Sequence, residues 1–172
     1  MTGSSNFTRP SKHSPYLTDP NRLGDVIAAI QAMSTYKQYK LPFDAWSDRI
    51  CGDLSQSAKW KAIFSDHPEF FRLDTGREKA SLVWRRQFPK RFDTNKGRPL
   101  TAEEYLLVPD VEKSKLSRNP LQPADIKALI DTAISLHARA LEQRQDKRWW
   151  LPLASAGGAL IGAVIGGLLR AR

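Results

Sequence analysis

The sequence has little cysteine and little histidine, and both shortages limit its chemistry. Cys51 is the only cysteine among 172 residues, so the chain can form neither an internal disulfide nor a zinc cluster built on cysteine. The histidines, His13, His67 and His137, are widely separated, and no nucleotide-binding glycine loop, paired metal ligands or nucleophile elbow accompanies them. We therefore expect no enzymatic activity.

Acidic residues are also scarce relative to basic ones. The chain has 18 Asp and Glu against 27 Lys and Arg, which gives a formal net charge of +9. Such an excess predicts attraction to an anionic partner, either nucleic acid or a lipid surface. The alternative is that the charge serves only solubility and membrane topology.

The N-terminus lacks the apolar core of a secretory signal. Its polar composition predicts a flexible lead-in over residues 1–20. Since no signal directs the chain across a membrane, we expect residues 1–148 to stay in the cytoplasm.

The C-terminal stretch 149–169 lacks charge altogether. A helix over this range would be about 31 Å long, close to the hydrocarbon thickness of a bilayer. The uncharged stretch predicts a transmembrane helix, followed by a basic C-terminal tail at 170–172. The alternative is that it forms a buried helix of a soluble protein. The predicted anchors at the membrane interface are two aromatic and two basic residues, Trp149, Trp150, Lys147 and Arg148.

Small residues recur at every fourth position of this stretch, at Ala154, Gly158, Gly162 and Gly166. They would share one helix face, where small side chains allow the close backbone approach that drives helix association in lipid. This glycine zipper predicts a homo-oligomer, although glycine and alanine are also simply frequent in membrane helices. The resulting expectation is a single-pass, tail-anchored protein of a bacterial inner membrane, with its N-terminal domain in the cytoplasm.

Apolar periodicity predicts three short helices in the first half of the chain. They fall at 21–37, at LPFDAWSDRICG (41–52) and at SQSAKWKAIFSDHP (55–68), the last with Ser55 as its N-cap. Two segments rich in β-formers follow, EFFRL (69–73) and ASLVWRRQF (80–88), joined by a turn with Gly76. The second segment also fits one helical face, so a helix at 80–88 stays open.

Three helices followed by a strand, a turn and a strand resemble the winged-helix family, a helix-turn-helix with a β-hairpin wing, over residues 21–92. The resemblance implies that SQSAKWKAIFSD is a recognition helix and that DTGREK is the wing tip. That helix offers only Lys59 and Lys61 against Asp66, which favours protein binding over DNA binding. The basic residues predicted to contact an anionic surface, whether DNA phosphates or lipid, lie on and beyond the hairpin: Arg72, Arg77, Lys79, Arg85, Arg86, Lys90 and Arg91.

The segment FDTNKGRPLTAEEY (92–105) resembles an EF-hand calcium loop. The resemblance implies calcium ligands at four positions, Asp93, Asn95, Thr101 and Glu104. Gly97, Arg98 and Pro99 depart from the pattern, because they replace an acidic ligand and the turn glycine. We therefore favour a plain turn into a helix that is capped by Thr101, with Glu104 at its N3 position. Calcium is the one cofactor that the resemblance implies.

Residues 93–123 are predicted to be a linker with a short helix, and residues 124–148 an amphipathic juxtamembrane helix. The apolar stripe of this helix either packs on the preceding domain or pairs with a second copy as a coiled coil. The expected fold is thus mainly α: a small winged-helix-like domain, a juxtamembrane helix and one transmembrane helix. We expect a tail-anchored, self-associating membrane protein whose winged-helix-like domain binds an unidentified cytosolic protein; a membrane-tethered DNA-binding regulator and an oligomeric pore are the alternatives.

Overall fold

The computed structural model describes residues 14–146, of which 58% are helical and 11% lie in strands. Six α-helices are present in this range: α1 Arg22–Thr35, α2 Phe43–Cys51, α3 Ser57–Asp66, α4 Ala102–Leu107, α5 Asp110–Lys113 and α6 Pro123–Asp146. The strands are β1 Lys40–Pro42, β2 Phe71–Leu73, β3 Lys79–Leu82, β4 Phe92–Asp93 and β5 Arg98–Pro99. Short 3₁₀ turns lie at Pro15–Leu17, Leu54–Gln56 and Trp84–Gln87.

The core is formed where α1, α2 and α3 pack against a small antiparallel sheet and α6 packs on α1. The strand order is β1-β3-β2, so β1 and β2 are the edges. Because side chains alternate between the faces of a strand, the inner face presents Phe71, Ala80 and Leu82, which are all buried. They pack with the apolar stripes of the helices, including Val26, Ile30, Met33, Trp60, Ile63, Phe64 and Leu129.

Helices α2 and α3 are separated by a tight turn with defined capping. Gly52 adopts the left-handed conformation, with φ 72°, and its amide donates to the Asp48 carbonyl at 2.9 Å, which ends α2. The predicted cap at Ser55 is wrong. The N-cap residue of α3 is Gln56, which makes no side-chain capping bond, and Asp53 instead caps the preceding 3₁₀ turn, where its carboxylate accepts from the Ser55 amide at 2.9 Å.

The predicted strand–turn–strand is present but shorter than expected. β3 ends at Leu82, and the chain then forms a 3₁₀ turn at Trp84–Gln87, so neither a strand nor an α-helix spans 80–88. The positive φ of the hairpin turn falls on Arg77, at 54°, and not on Gly76. The Asp74 carboxylate stabilises this turn by accepting from the amides of Glu78 and Lys79.

Residues 92–118 form a small satellite of the main core. Strands β4 and β5 pair as a hairpin, and Phe92 also bridges to Ser117. The buried apolar residues of this segment are Phe92, Leu100 and Leu116. The predicted linker is therefore a folded element.

Both ends of the described chain pack on the core. Helix α6 buries Leu129, Ala133 and Ala140 against it, so of the two alternatives for its apolar stripe the structure has packing on the preceding domain. Tyr16, within the stretch predicted to be flexible, is also buried in the core. Its ring lies edge-on to His137 of α6, with centroids 6.1 Å apart.

The predicted transmembrane helix requires a correction, and with it the predicted fold class and the single-pass location in a bacterial inner membrane. Within residues 14–146, no helix combines the length and the apolar character needed to cross a bilayer. Even α6, with 24 residues, carries charged side chains along its length, including Lys127, Asp131 and Arg139. The predicted span 149–169 lies outside the described residues, as do the tail 170–172, the zipper positions Ala154, Gly158, Gly162 and Gly166, and the anchors Lys147, Arg148, Trp149 and Trp150.

Candidate functional site

A groove of about 630 Å³ crosses the outer side of the three-stranded sheet and its β2 edge. We call it the basic groove. Its walls come from β1, from the end of α3, from β2 and the following turn, and from two residues that lie later in the chain. The lining residues are Tyr39, Lys40, Phe64, Ser65, Pro68, Phe71, Arg72, Leu73, Asp74, Thr75, Arg77, Arg86 and Arg118.

Strand register explains why cations collect on this side of the sheet. Lys40 of β1 and Arg72 of β2 both lie opposite Ser81 of β3. Residues paired directly across antiparallel strands point to the same face, so both basic side chains stand on the face opposite the core. The apolar residues that alternate with Lys40 and Arg72 along the strands face the core. The cationic side chains therefore lie over the outer face of the sheet.

The basic groove has a strongly positive lining. Five of its residues are cationic, and Asp74 is its one carboxylate. The amides of Lys79 and Glu78 lower the pKa of Asp74, and the charges of Lys40 and Lys79 lower it further. Asp74 therefore remains ionised while serving the turn, and it neutralises only a small part of the local positive charge.

Arg118 is fixed by the fold and forms a wall of the groove. Its guanidinium lies 5.1 Å from the centre of the Tyr39 ring, a cation–π contact. The same group donates to the Arg86 carbonyl at 2.6 Å and to the Phe88 carbonyl. Arg72, Arg77 and Arg86 are exposed by contrast, and their guanidinium groups are accessible to a ligand.

The structure divides the seven predicted surface cations into two groups. Arg72, Arg77 and Arg86 line the groove. The others do not: Lys79 lies exposed on the hairpin, Lys90 donates to the Ser114 carbonyl at 2.6 Å, Arg91 lies 5.0 Å from the Tyr105 ring, and Arg85 is buried.

Arg85 is a structural residue and is not available to an anionic surface. Its residue is 0% exposed, and its guanidinium donates to the carbonyls of Met33 and Tyr36 at 2.9 and 2.6 Å. It also donates to the carbonyls of Arg118 and Asn119 at 2.5 and 3.1 Å. Burial lowers the pKa of Arg85 to about 10, so the group stays charged at neutral pH. One side chain thus joins the end of α1 to the segment before α6.

The recognition helix implied by the winged-helix resemblance, now α3, has its charges engaged within the domain. Lys59 forms an ion pair with Asp25 of α1 at 2.9 Å, and Lys61 lies 5.6 Å from the Phe43 ring. Asp66 pairs with Arg22 at 3.3 Å. The helix therefore offers few free charges to a phosphate backbone.

The calcium-loop look-alike is a β-hairpin followed by a capped helix. The Asp93 carboxylate accepts from the amides of Asn95 and Lys96, which lower its pKa. Thr101 and Glu104 form a capping box at the start of α4, as the sequence predicted. Within residues 14–146, no three His, Cys, Asp or Glu side chains lie together in a way that could hold a metal ion.

Glu104 is already bound by protein groups. Arg98 donates to its two oxygens at 2.8 and 2.5 Å, and the Thr101 amide donates at 2.9 Å. The hydrogen bond from Arg98, followed by that from Thr101, lowers the pKa of Glu104 to about 2. A calcium ion at this position would have to displace the Arg98 guanidinium.

The ion pair between Arg98 and Glu104 predicts that the stability of the fold depends on pH in the acid range. The pKa of Glu104 is lower in the folded chain than its ordinary value of 4.5, so its carboxylate stabilises the fold above that pH. The contribution is lost as the pH falls from 4.5 to about 2. Glu104→Gln should therefore lower the melting temperature at pH 7, and the difference from the wild type should shrink at pH 3. Glu103→Gln, on the same exposed turn, is the matched control and should change little. An equal deficit at both pH values would contradict the prediction.

A second polar cluster joins the N-terminal turn to the end of α3. The Tyr16 hydroxyl and the Nδ1 of His67 lie 3.2 and 3.0 Å from the same oxygen of Glu69. Burial, and then the charge of Glu69, raises the pKa of Tyr16. Burial also acts to raise the pKa of Glu69, but the hydrogen bonds, above all that from His67, lower it overall. The Glu69 carboxylate thus forms a structural cross-link.

Sequence patterns alone missed three lining residues of the basic groove: Tyr39, Lys40 and Arg118. They come from segments far apart in the chain, and only the pairing of β1 with β3 and the return of the chain after α5 bring them together. The local signal was the excess of Arg and Lys around the hairpin. Comparison of the chain with known protein families, with characterised proteins and with solved structures gives no significant match.

Proposed function

We propose that this chain is a protein-interaction module whose basic groove binds an acidic segment with apolar side chains in another protein. The observation that carries the proposal is the lining of the groove, where five cations face one carboxylate beside the partly exposed Tyr39 and Leu73 and the exposed Pro68. Such a surface complements a segment that alternates carboxylates with aliphatic residues.

The sheet edge favours an extended ligand. β2 is an edge strand, and extended peptides commonly bind by adding a strand to a free sheet edge. Arg72, at the centre of β2, would stand beside such a peptide and pair with its carboxylates. Affinity would then come from the backbone and the apolar side chains, and selection against basic sequences would come from the arginines.

We further propose that residues 22–82 have a winged-helix-like architecture in which protein binding has replaced DNA binding. The element order α1, β1, α2, α3, β2, β3, with β1 and β2 both pairing antiparallel with β3, supports the likeness. The ion pairs that Lys59 and Asp66 make within the domain favour a protein ligand over DNA.

Binding of labelled probes tests the proposal by fluorescence anisotropy on the full chain. The probes are a peptide that alternates Glu and Leu, the same peptide with Gln in place of Glu, and a short DNA duplex. We expect the acidic peptide to bind most tightly, and the double variant Arg72→Glu, Arg86→Glu to weaken it by at least about tenfold, because like charges then face each other.

A matched variant controls for net charge. Lys127→Glu with Arg139→Glu makes the same change in charge on the exposed face of α6, away from the groove, and should bind the peptide as the wild type does. Equal loss in both double variants would contradict the proposal, since it would indicate a general charge effect. Tighter binding of the duplex, with a steep dependence on salt, would indicate a DNA-binding protein instead.

A further inference from the structure

The short helices α4 and α5 present large aliphatic side chains to solvent. Leu106, Leu107 and Val111 are 76%, 84% and 76% exposed. Three such residues within six positions form an apolar surface, which we call the tip. Concentrated apolar exposure of this kind marks a surface that is covered in an assembly.

The tip is acidic, although the whole chain is basic. Residues 99–112 contain four carboxylates and no Lys or Arg. Glu104 and Asp110 are engaged by Arg98 and Lys113. Glu103 and Glu112 are exposed beside the aliphatic residues, so the tip combines apolar groups with negative charge.

The tip is also held firmly in place. The capping box of Thr101 and Glu104 fixes the start of α4, and the Phe92 carbonyl accepts from the Ser117 amide at 2.7 Å just after α5. Tyr105 lies between the cations of Arg91 and Lys113, at 5.0 and 5.3 Å from its ring centre. A surface that is already ordered loses little conformational entropy when it binds.

We propose that the tip of one copy of this chain binds in the basic groove of a second copy. The groove offers what the tip lacks, since its exposed arginines can face Glu103 and Glu112 while the accessible apolar groups of its lining, Tyr39, Pro68 and Leu73, cover Leu106 and Leu107. This inference rests on the proposed function, because it names the chain itself as a carrier of the acidic and apolar side chains that the groove binds. The tip is helical, so it binds through these side chains and not as an added strand.

The tip and the groove are different surfaces, so a single contact leaves a free groove on one copy and a free tip on the other. These two either bind each other in a reciprocal twofold pair or bind further copies in a ring or an open filament. In each case a copy without a working groove can still pair with a copy without a working tip, which a dimer formed by two tips or by two grooves would not allow.

Two double variants of the full chain test the roles of the groove and the tip one at a time. Arg72→Glu with Arg86→Glu disables the groove and leaves the tip intact, and Leu106→Ser with Leu107→Ser disables the tip and leaves the groove intact. In sedimentation velocity at low salt, we expect the wild type to associate as its concentration rises. Each variant alone should lose this association by at least about tenfold in dissociation constant. An equimolar mixture should form a one-to-one complex that grows no further, because only one functional tip and one functional groove remain.

The circular dichroism spectra of both variants, compared with the wild type, confirm that the substituted chains are folded; all of the substituted side chains are exposed. The control Lys127→Glu with Arg139→Glu should associate as the wild type does. A monomeric wild type, unchanged association in either variant, or a mixture without a one-to-one complex would overturn the inference. If the Glu-Leu peptide still binds the groove in those cases, the proposed function stands and only the self-association fails.

Discussion

Replacing Arg85 with alanine should lower the free energy of unfolding by about 3 to 5 kcal/mol, because the substitution leaves several buried carbonyls without a donor. The guanidinium bonds the carbonyls of Met33, Tyr36, Arg118 and Asn119, which belong to two segments far apart in the chain. The alanine variant lacks those donors, and the vacated volume adds a cavity.

Urea denaturation of the full chain, followed by far-UV circular dichroism, measures this loss. The neighbouring Arg86→Ala is the matched control, because that side chain is exposed, and it should change the free energy of unfolding by less than about 0.5 kcal/mol. Arg85→Lys should recover only part of the stability, since an ammonium cannot reach all of these carbonyls at once. Equal stability of the Arg85 and Arg86 variants would show that the buried network contributes nothing.

Trp46→Ala should also cost about 3 to 5 kcal/mol of unfolding free energy, for a different reason. The side chain is fully buried between α2 and the sheet, with its ring 6.0 Å from that of Tyr36, so the variant leaves a large cavity. Its indole N–H donates to the Ala80 carbonyl of β3 at 3.0 Å, and this bond is lost as well.

Two further variants separate packing from hydrogen bonding at this position. Trp46→Phe keeps most of the apolar contact but removes the hydrogen bond to the Ala80 carbonyl, so about 1 kcal/mol should be lost. Trp84→Ala, in the partly exposed 3₁₀ turn, should cost less than about 1 kcal/mol. A Trp46→Ala variant as stable as the Trp84→Ala variant would contradict the placement of Trp46 in the core.

The helices of the core were predictable because their signals are local. In α1, Val26, Ile30 and Met33 recur at the spacing of one helix face, and that face is buried. Gly52 ends α2 because a left-handed residue is needed there, and the sequence shows that glycine directly. The same holds for the capping box at Thr101, which depends on two residues three positions apart.

Features that depend on distant partners were not predictable. Nothing near Arg85 distinguishes it from Arg86, since its burial is decided by carbonyls some 33 to 52 positions away. The strand at Lys40–Pro42 is only three residues long and ends in proline, so it carries no alternation to detect. Tyr16 lies in a polar stretch, and its place in the fold depends on distant partners, Glu69 at 53 positions away and His137 of α6.

The packing of α1 against α6 has a consequence for synthesis on the ribosome. α1 begins at Arg22 and α6 ends at Asp146. Nearly the whole domain is therefore translated before α6 emerges from the ribosome and can pack on α1. The part of α1 that α6 covers therefore stays exposed throughout that interval, when the nascent chain is most open to aggregation. A folding reporter placed at successive stalling points should show closure only after Leu129 and Ala133 have left the exit tunnel.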